Sequence, residues 1–398
     1  MASWCVASVS TEVLNVIDAV RRRPGMYCGD TTDGWGLRGM LWEVVANAID
    51  EHLAGRCSTI TIGLSPGARF SVEDDGGGIP LTPTPQGISF AELALTTCHD
   101  TATLDGHAPH VHTSSGVGLC PVNALCSRFV VDVWRDGAHH TMEFARGRAT
   151  ENLRVLGPTS RTGTRIEALP DPEIFRRNRS LALDLIDERL LELSAFYPGL
   201  RIERIDQRGT ARSFQSPRGL VDLLVASRNG RALGGGPCTR KEERYGVVVD
   251  LAIEWTRSSK RQLRGFANAE PCGGAHVVGM ELGILHAFYS FGSGTHAVRI
   301  PVFSAHKRLL RGLNAVVHVT LANPLYGAPT KDVLRSVEAR KAVLEIVEER
   351  IEAYLFQEPE LLKHLLAGMK ELAPSRPAAP KRHAKPASAR RRRPRTRR

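Results

Sequence analysis

Glu43-Val44-Val45-Ala46-Asn47-Ala48-Ile49-Asp50-Glu51 is followed, about two dozen residues later, by Asp74-Asp75-Gly76-Gly77-Gly78-Ile79-Pro80. At roughly 100° per residue, Glu43, Asn47 and Asp50 share one face of a helix, while Leu41, Val44, Val45, Ala48 and Ile49 supply its buried side. Taken singly, the first stretch reads equally as an ordinary amphipathic helix and the second as a β-turn. Their order and spacing point instead to a base and a magnesium ligand on a rigid helix, facing a glycine turn with an acidic rim. That combination suits a nucleotide.

Working outward, Thr59 to Leu64 and Arg69 to Glu73 alternate like neighbouring strands joined by Ser65-Pro66-Gly67, and the second delivers Asp74 at its end. A helical pattern ahead of the Glu43 segment stops at Pro24-Gly25. Downstream, helical runs are expected at Val117–Leu125, Ala182–Phe196, Val277–Tyr289 and Lys331–Phe356, with strands between them. This is an α/β body of two domains with an extended helical end, divided near residue 212.

The formal net charge is +11, but its distribution matters more. Of the 53 Lys and Arg residues, 11 lie between Ala373 and Arg398 with no Asp or Glu among them, leaving 42 basic against 42 acidic residues elsewhere. The body therefore makes no bulk electrostatic case for binding a polyanion, whereas the Pro- and Arg-rich tail does, through counterion release. Eight cysteines contain no C-x-x-C pair, which favours reduced, packing thiols and a cytoplasmic setting. No apolar run reaches the roughly 18 residues of a membrane span, and the N-terminus lacks a secretory pattern.

For ATP hydrolysis, Glu43 is the candidate general base and Asn47 a neutral oxygen ligand for magnesium. Asp50 supports the helix or an ordered water. Asp74 is placed to accept the adenine amino proton and so to prefer ATP over GTP, with Gly76 to Gly78 allowing the close turn beneath the base. His112-Thr113-Ser114-Ser115-Gly116-Val117-Gly118, just before a helical segment, offers backbone N–H groups to phosphates. It is neither a Rossmann fingerprint nor a P-loop. Thr162-Gly163-Thr164 reads as a hydroxyl contact to the base, or as a hairpin turn.

Together these residues resemble the ATP-binding fold shared by type II topoisomerases, HSP90 chaperones, histidine kinases and MutL proteins. Three stretches narrow the resemblance to the N-terminal half of the DNA gyrase B subunit and its topoisomerase IV counterpart. They are VIDAVRRRPGMYCGD (16 to 30), GVGLCPVNALCSRF (116 to 129) and GLNAVVHVTLANPLYGAPTKDVLRSVEARKAV (312 to 343). The resemblance implies an α+β two-layer sandwich of the GHKL, or Bergerat, ATPase type, followed by a transducer domain with a ribosomal-protein-like fold. It divides the chain into an arm (1–15), an ATP-binding domain (16–212), a transducer (213–365) and a basic disordered tail (366–398). Nucleotide contacts are implied at Asn47, Asp50, Asp74, Gly78, Ile79, Pro80, Gly116, Val117, Gly118, Thr164 and Lys331. Lys331, in Pro329-Thr330-Lys331, would reach the γ-phosphate and act with Glu43 in catalysis. ATP and magnesium are the implied cofactors. DNA, a second copy of the chain and a separate cleavage subunit are the implied partners, since no acidic cleavage segment follows residue 365; a nucleoid setting goes with them.

The chain departs from the family pattern in four places. Ala46 replaces an Asp, Gly77 an Arg that would cover adenine and pair with Glu51, Ser114-Ser115 a Leu-His, and Pro329 a Gln. These changes imply slower turnover and weaker aminocoumarin inhibition, and they keep open a catalytically weakened, regulatory module. A histidine kinase fits less well, because no phosphoacceptor-histidine helix precedes the ATP domain.

Overall fold

In the computed structural model, which describes residues 15–85, 87–97, 118–177, 180–294, 308–328 and 330–370, the two expected neighbouring strands are β1 (Thr59–Leu64) and β2 (Phe70–Asp74). They pair antiparallel with Ile60 opposite Asp74. Alternation turns Phe70, Val72 and Asp74 to the same buried side. A carboxylate therefore closes an otherwise apolar row.

That row faces α3 (Trp35–Leu53), whose Leu41, Val44, Val45, Ala48 and Ile49 are buried as expected. Two shorter helices, α1 (Val16–Arg22) and α2 (Gly25–Cys28), precede it. Gly36 and Gly39 let α3 press onto the backbone of the preceding segment: a Cβ at either would lie 2.7 Å from a carbonyl oxygen, of Asp30 and Cys28 respectively.

The remaining strands of the first sheet are β3 (Cys126–Arg135), β4 (Ala138–Ala145), β5 (Arg148–Ala149), β6 (Arg154–Pro158), β7 (Gly163–Pro170), β8 (Arg201–Ile205) and β9 (Ala211–Phe214). Their order is β5-β4-β3-β7-β2-β1-β8-β9, with β6 beside β4. Helices α4 (Phe90–Thr96), α5 (Leu119–Ala124) and α6 (Leu183–Phe196) complete this layer. The division near residue 212 falls inside β9, which pairs with β8 and carries the first sheet to Phe214. From there the chain passes through α7 (Leu220–Ala226).

The second sheet runs β10 (Ala232–Arg244), β11 (Val247–Thr256), β15 (Leu313–Leu321), β12 (Gln262–Ala267), β13 (Glu270–Pro271). One face is covered by α8 (Ala275–Gly294) and α9 (Val337–Gln357), which cross closely where Gly279 and Gly283 meet the α9 backbone. A small parallel pair, β14 (Gly273–Gly274) with β16 (Val333–Leu334), lies apart. The expected helix from Lys331 thus starts six residues later, because 333–334 are drawn into β16 and only from Val337 does the apolar spacing face the sheet. At the far end α10 (Pro359–Lys370) carries helix past residue 366, with Leu361 and Leu365 in the core. The arm and the rest of the tail lie outside the described residues.

The first core does not stop at its own sheet. It runs on to Ala252, Phe266, Ala269 and Val316 of the second unit. Phe196, at the end of α6, stacks on His318 (4.4 Å between ring centroids) and meets Phe266 edge-on (4.8 Å). Around these rings Arg189 pairs with Glu192 (2.9 Å) and Glu270 (3.4 Å), and Arg264 pairs with Glu192. Phe196→Ala should destabilise the fold by about 3–5 kcal/mol through lost burial and the cavity left behind. Urea unfolding is the check, and an unchanged midpoint would place the joint's stability elsewhere.

Candidate functional site

Glu43 sits on α3 at 4% exposure, and Asn47 one turn on is half-buried. The Asn47 amide nitrogen Nδ2 donates to the Glu43 carbonyl at 3.0 Å, which leaves Oδ1 as the atom for a cation. Asp50 follows on the same face, also half-buried. Helix periodicity alone brings these three together, as the sequence implied.

Asp74 is the centre of the facing wall. It is 7% exposed, and burial pushes its carboxyl up to about 7, with the nearby Glu51 carboxylate acting in the same direction. The Gly76 N–H donates to Asp74 Oδ1 at 2.9 Å and works the other way. Across the sheet Asp74 is paired with Thr164, whose Oγ1 accepts the Ile79 N–H at 3.1 Å. A single hydroxyl thus ties β7 to the chain leaving the turn, and Pro80 is buried immediately after it. Two glycines are obligatory here. Gly163 passes so close to β2 that a Cβ would lie 2.0 Å from the Asp74 carbonyl oxygen, and Gly78 has φ 79° with the Trp134 carbonyl 3.0 Å from where a Cβ would stand.

Sequence reasoning missed Arg135. Its Nη1 donates to the Gly78 carbonyl at 2.7 Å and, more weakly, to that of Gly77 at 3.4 Å, so an arginine holds the turn from the β3 end. Beside it the Trp134 ring lies between the Arg161 guanidinium (3.7 Å to the centroid) and the stacked His139 ring (5.0 Å). No motif marks these residues. Their signal is sheet register, in which Trp134 lies opposite Gly163.

The expected loss of the Glu51 ion pair is corrected by the structure. Arg56 Nε and Nη2 donate to Glu51 Oε2 and Oε1 at 2.9 and 2.6 Å, and Glu51 Oε2 also accepts the Gly77 N–H at 2.9 Å. Ala46 lines a small cavity with Tyr197 of the α6 end, Arg189 and Glu270, turned toward the second unit.

Gly118 precedes α5 with φ 66°, in the left-handed region that favours glycine. Gly116, Val117, Ser114, Ser115 and Pro329 lie outside the described residues. Lys331 is in the loop before β16, with φ 57°, its N–H donating to the Ala328 carbonyl and its ammonium 5.9 Å from the Tyr326 ring centre. That contact is within the second unit. The six described cysteines are buried, and no helix among the described residues is long and apolar enough to cross a membrane.

The profile described as histidine kinase-, DNA gyrase B-, and HSP90-like ATPase matches residues 32–173, the segment that holds α3, β1, β2 and β7. That of DNA gyrase B matches residues 221–385. The DNA gyrase B subunit of Archaeoglobus fulgidus is 34% identical over 366 residues, covering 89% of this chain and 57% of that protein. The type 2 topoisomerase B subunit of Aquifex aeolicus is 31% identical over 375 residues, 92% of this chain and 47% of its own length. The chain thus spans about half the length of the curated relatives it matches. Among solved structures, the 43K ATPase domain of Thermus thermophilus gyrase B, in complex with an aminocoumarin, superposes with a TM-score of 0.75 at 31% identity, covering 90% of this chain and 95% of that one. With the buried Asp74 wall, the Glu43–Asn47 helix and the second sheet all in the matched order, the chain belongs to the DNA gyrase B family, over its GHKL ATPase domain and the transducer region that follows.

Proposed function

We propose that this chain binds and hydrolyses ATP and acts as an ATP-gated dimeric clamp on DNA, with residues 16–214 as the nucleotide unit and 215–370 as the transducer. The observation that carries the reading is a desolvated carboxylate, Asp74, closing the wall opposite a helix that presents Glu43 and Asn47 one turn apart. A buried acceptor of this kind selects a base with an amino group at its edge, and leaves guanine's carbonyl facing an acceptor. Cytoplasmic, nucleoid-associated action with a separate cleavage subunit follows from the same reading.

The residues fit a magnesium ion that arrives with its phosphates. Among the described residues no group of three or more His, Cys, Asp or Glu forms a cage, while Asn47 offers one neutral oxygen beside Glu43. Such an ion would neutralise polyphosphate charge when bound. Glu43 then orients water and takes its proton, and the α3 scaffold keeps that carboxylate from drifting. Lys331 would reach the γ-phosphate and so couple nucleotide state to the second unit. An aminocoumarin competes for the adenine wall, where Arg135 already lines the turn.

Three outcomes test this. Glu43→Ala should cut ATP turnover by about two orders of magnitude or more while sparing most ATP binding. Wild-type turnover in that variant, with contaminating ATPase excluded, would remove Glu43 from the mechanism.

The second concerns pH. The ionised carboxylate of Asp74 is the stronger acceptor for the adenine amino proton, and burial pushes its carboxyl up to about 7 before binding. ATP affinity should therefore be highest above pH 7 and fall about tenfold by pH 6, and calorimetry of Asp74→Ala should show weak binding with that dependence gone. A flat profile in the parent chain would exclude Asp74 as the base-reading group.

The third is assembly. A non-hydrolysable ATP analogue should shift the full chain from monomer to dimer in sedimentation, ADP should do so weakly, and deleting residues 1 to 10 should blunt the shift. An unchanged mass distribution at saturating analogue rejects the gate. It leaves ATP binding standing.

A further inference from the structure

The turn beneath the proposed adenine site is built from three consecutive glycines, Gly76 to Gly78, with no side chain to stiffen it. Its shape is imposed from outside by hydrogen bonds. Asp74 Oδ1 takes the Gly76 N–H, Glu51 Oε2 takes the Gly77 N–H, and Arg135 grips the Gly77 and Gly78 carbonyls. The Glu51 contact is the one that reaches the turn from α3.

How Glu51 is aimed is a matter of how α3 ends. Gly55 takes φ 74°, its N–H donates to the His52 carbonyl at 2.9 Å, and the Arg56 N–H donates to the Glu51 carbonyl at 2.9 Å. This is a Schellman closure, and it brings the side chains of its first and last residues together. In most such closures that contact is apolar. Here it is the two-pronged Glu51–Arg56 ion pair, so the geometry that terminates the helix also locks the carboxylate that holds the turn.

The stem of Arg56 occupies the space above Gly77. A Cβ built at Gly77 would lie 3.2 Å from Arg56 Cδ and 3.4 Å from its Nε, with Glu51 Oε2 at 3.5 Å. Gly77 itself is not in the left-handed region, so its backbone accepts a side chain, and what stands in the way is Arg56. On the other side, a Cβ at Gly76 would meet Asp74 Oδ1 at 2.7 Å and Glu51 Oε2 at 2.8 Å, so the two carboxylates flank one residue. The guanidinium supplies counter-charge where two negative groups converge.

We propose that Arg56 is a positioning residue of the adenine wall, acting through Glu51 to fix the Gly76–Gly78 turn from the helix end rather than from within the turn. The inference rests on the nucleotide reading above. It makes positions 56 and 77 alternative sources of one guanidinium, a side chain at 77 crowding the Arg56 stem. Affinity for the purine end of the ligand is what Arg56 governs, and Glu43, about two helical turns before Glu51, is left in place.

The test is a swap in the full chain, read by ATP KM against kcat and by calorimetry with a non-hydrolysable ATP analogue. Arg56→Ala should raise KM and the analogue Kd roughly three- to tenfold. The fall in kcat should stay within about twofold, since an interaction that orients bound adenine is lost from ground and transition states alike. Adding Gly77→Arg to Arg56→Ala should bring KM and Kd back toward the parent values, because the stem that blocked position 77 is gone and Glu51 is within reach. Gly77→Arg alone should gain nothing and should bind more weakly than the double variant. Unchanged KM and Kd in Arg56→Ala would overturn the proposal. So would a loss that Gly77→Arg does not repair although the melting temperature matches the parent, or a kcat loss as large as the KM change. If Arg56→Ala melts early, the double variant still decides, by its affinity relative to Gly77→Arg alone. Failure of the parent chain to bind the analogue at all would reject the nucleotide reading and this inference with it, whereas parent binding that Arg56→Ala leaves untouched rejects only this inference.

Discussion

Everything at this site depends on a carboxylate being held where water is scarce. Asp74 ends the inward row of β2 beneath α3, and its desolvation raises the carboxyl from 3.8 to about 7. For the protein without ligand the sign of the linkage is clear: the neutral acid's contribution to stability is full below 3.8 and is lost as pH rises through about 7. Ionised Asp74 is thus a cost that the empty fold carries near neutrality. A ligand that donates a hydrogen bond offsets that cost, and a ligand without a donor does not. In the function proposed here, selectivity for an amino-bearing base would arise from this strain, and the Gly76 amide, which donates to Asp74, partly offsets it.

Such a site needs a rigid frame, and α3 supplies it by doing two jobs on opposite faces. Its apolar side is pressed into the first core, and its N-terminal turn is seated at van der Waals limits by Gly36 and Gly39. Its C-terminal end is closed by backbone bonds at Gly55 and Arg56. A carboxylate on a helix fixed at both ends has little freedom to search, so Glu43 and Asn47 are presented with little further ordering on binding. The glycine turn opposite is the compliant partner, and it is held by hydrogen bonds from three directions.

What the sequence made legible was whatever obeys a period. The 3.6-residue repeat placed Glu43, Asn47 and Asp50 on one face of α3, and the two-residue repeat marked β1 and β2 as neighbours with Asp74 at the end of the second. Contacts fixed by register or by turn geometry have no period and stayed hidden. Arg135 reaches the turn because β3 lies beside β7, and Arg56 meets Glu51 because a left-handed glycine folds the chain back. Gly77 read by itself signified a missing arginine, whereas in space the guanidinium enters from another segment. The helix expected from Lys331 failed for the complementary reason: its periodicity was sound only from Val337, and the pairing of Val333–Leu334 with Gly273–Gly274 overrode the local pattern before it. β9, short and exposed on three of its four positions, runs to Phe214 with no buried alternation to read in the sequence.

The joint between the two sheets shows how the site is tied to the rest of the chain. α3 turns Ala46 toward the same small cavity that Arg189 and Glu270 line, and Arg189 bridges Glu192 of α6 to Glu270 of the second unit. An aspartate at position 46 would bring another carboxylate to the cavity that Arg189 and Glu270 line. With alanine there, the charge balance at the joint is settled between α6 and β13 without α3, and the nucleotide helix meets the second unit through apolar surface. Apolar contacts are non-directional, while a hydrogen-bonded ion pair also fixes the orientation of its partners. Across the joint α6 contributes Phe196 to the stack with His318 and Phe266, and Arg189 to the bridge with Glu270. That places α6, rather than the helix bearing Glu43, as the element through which the two sheets hold their relative orientation.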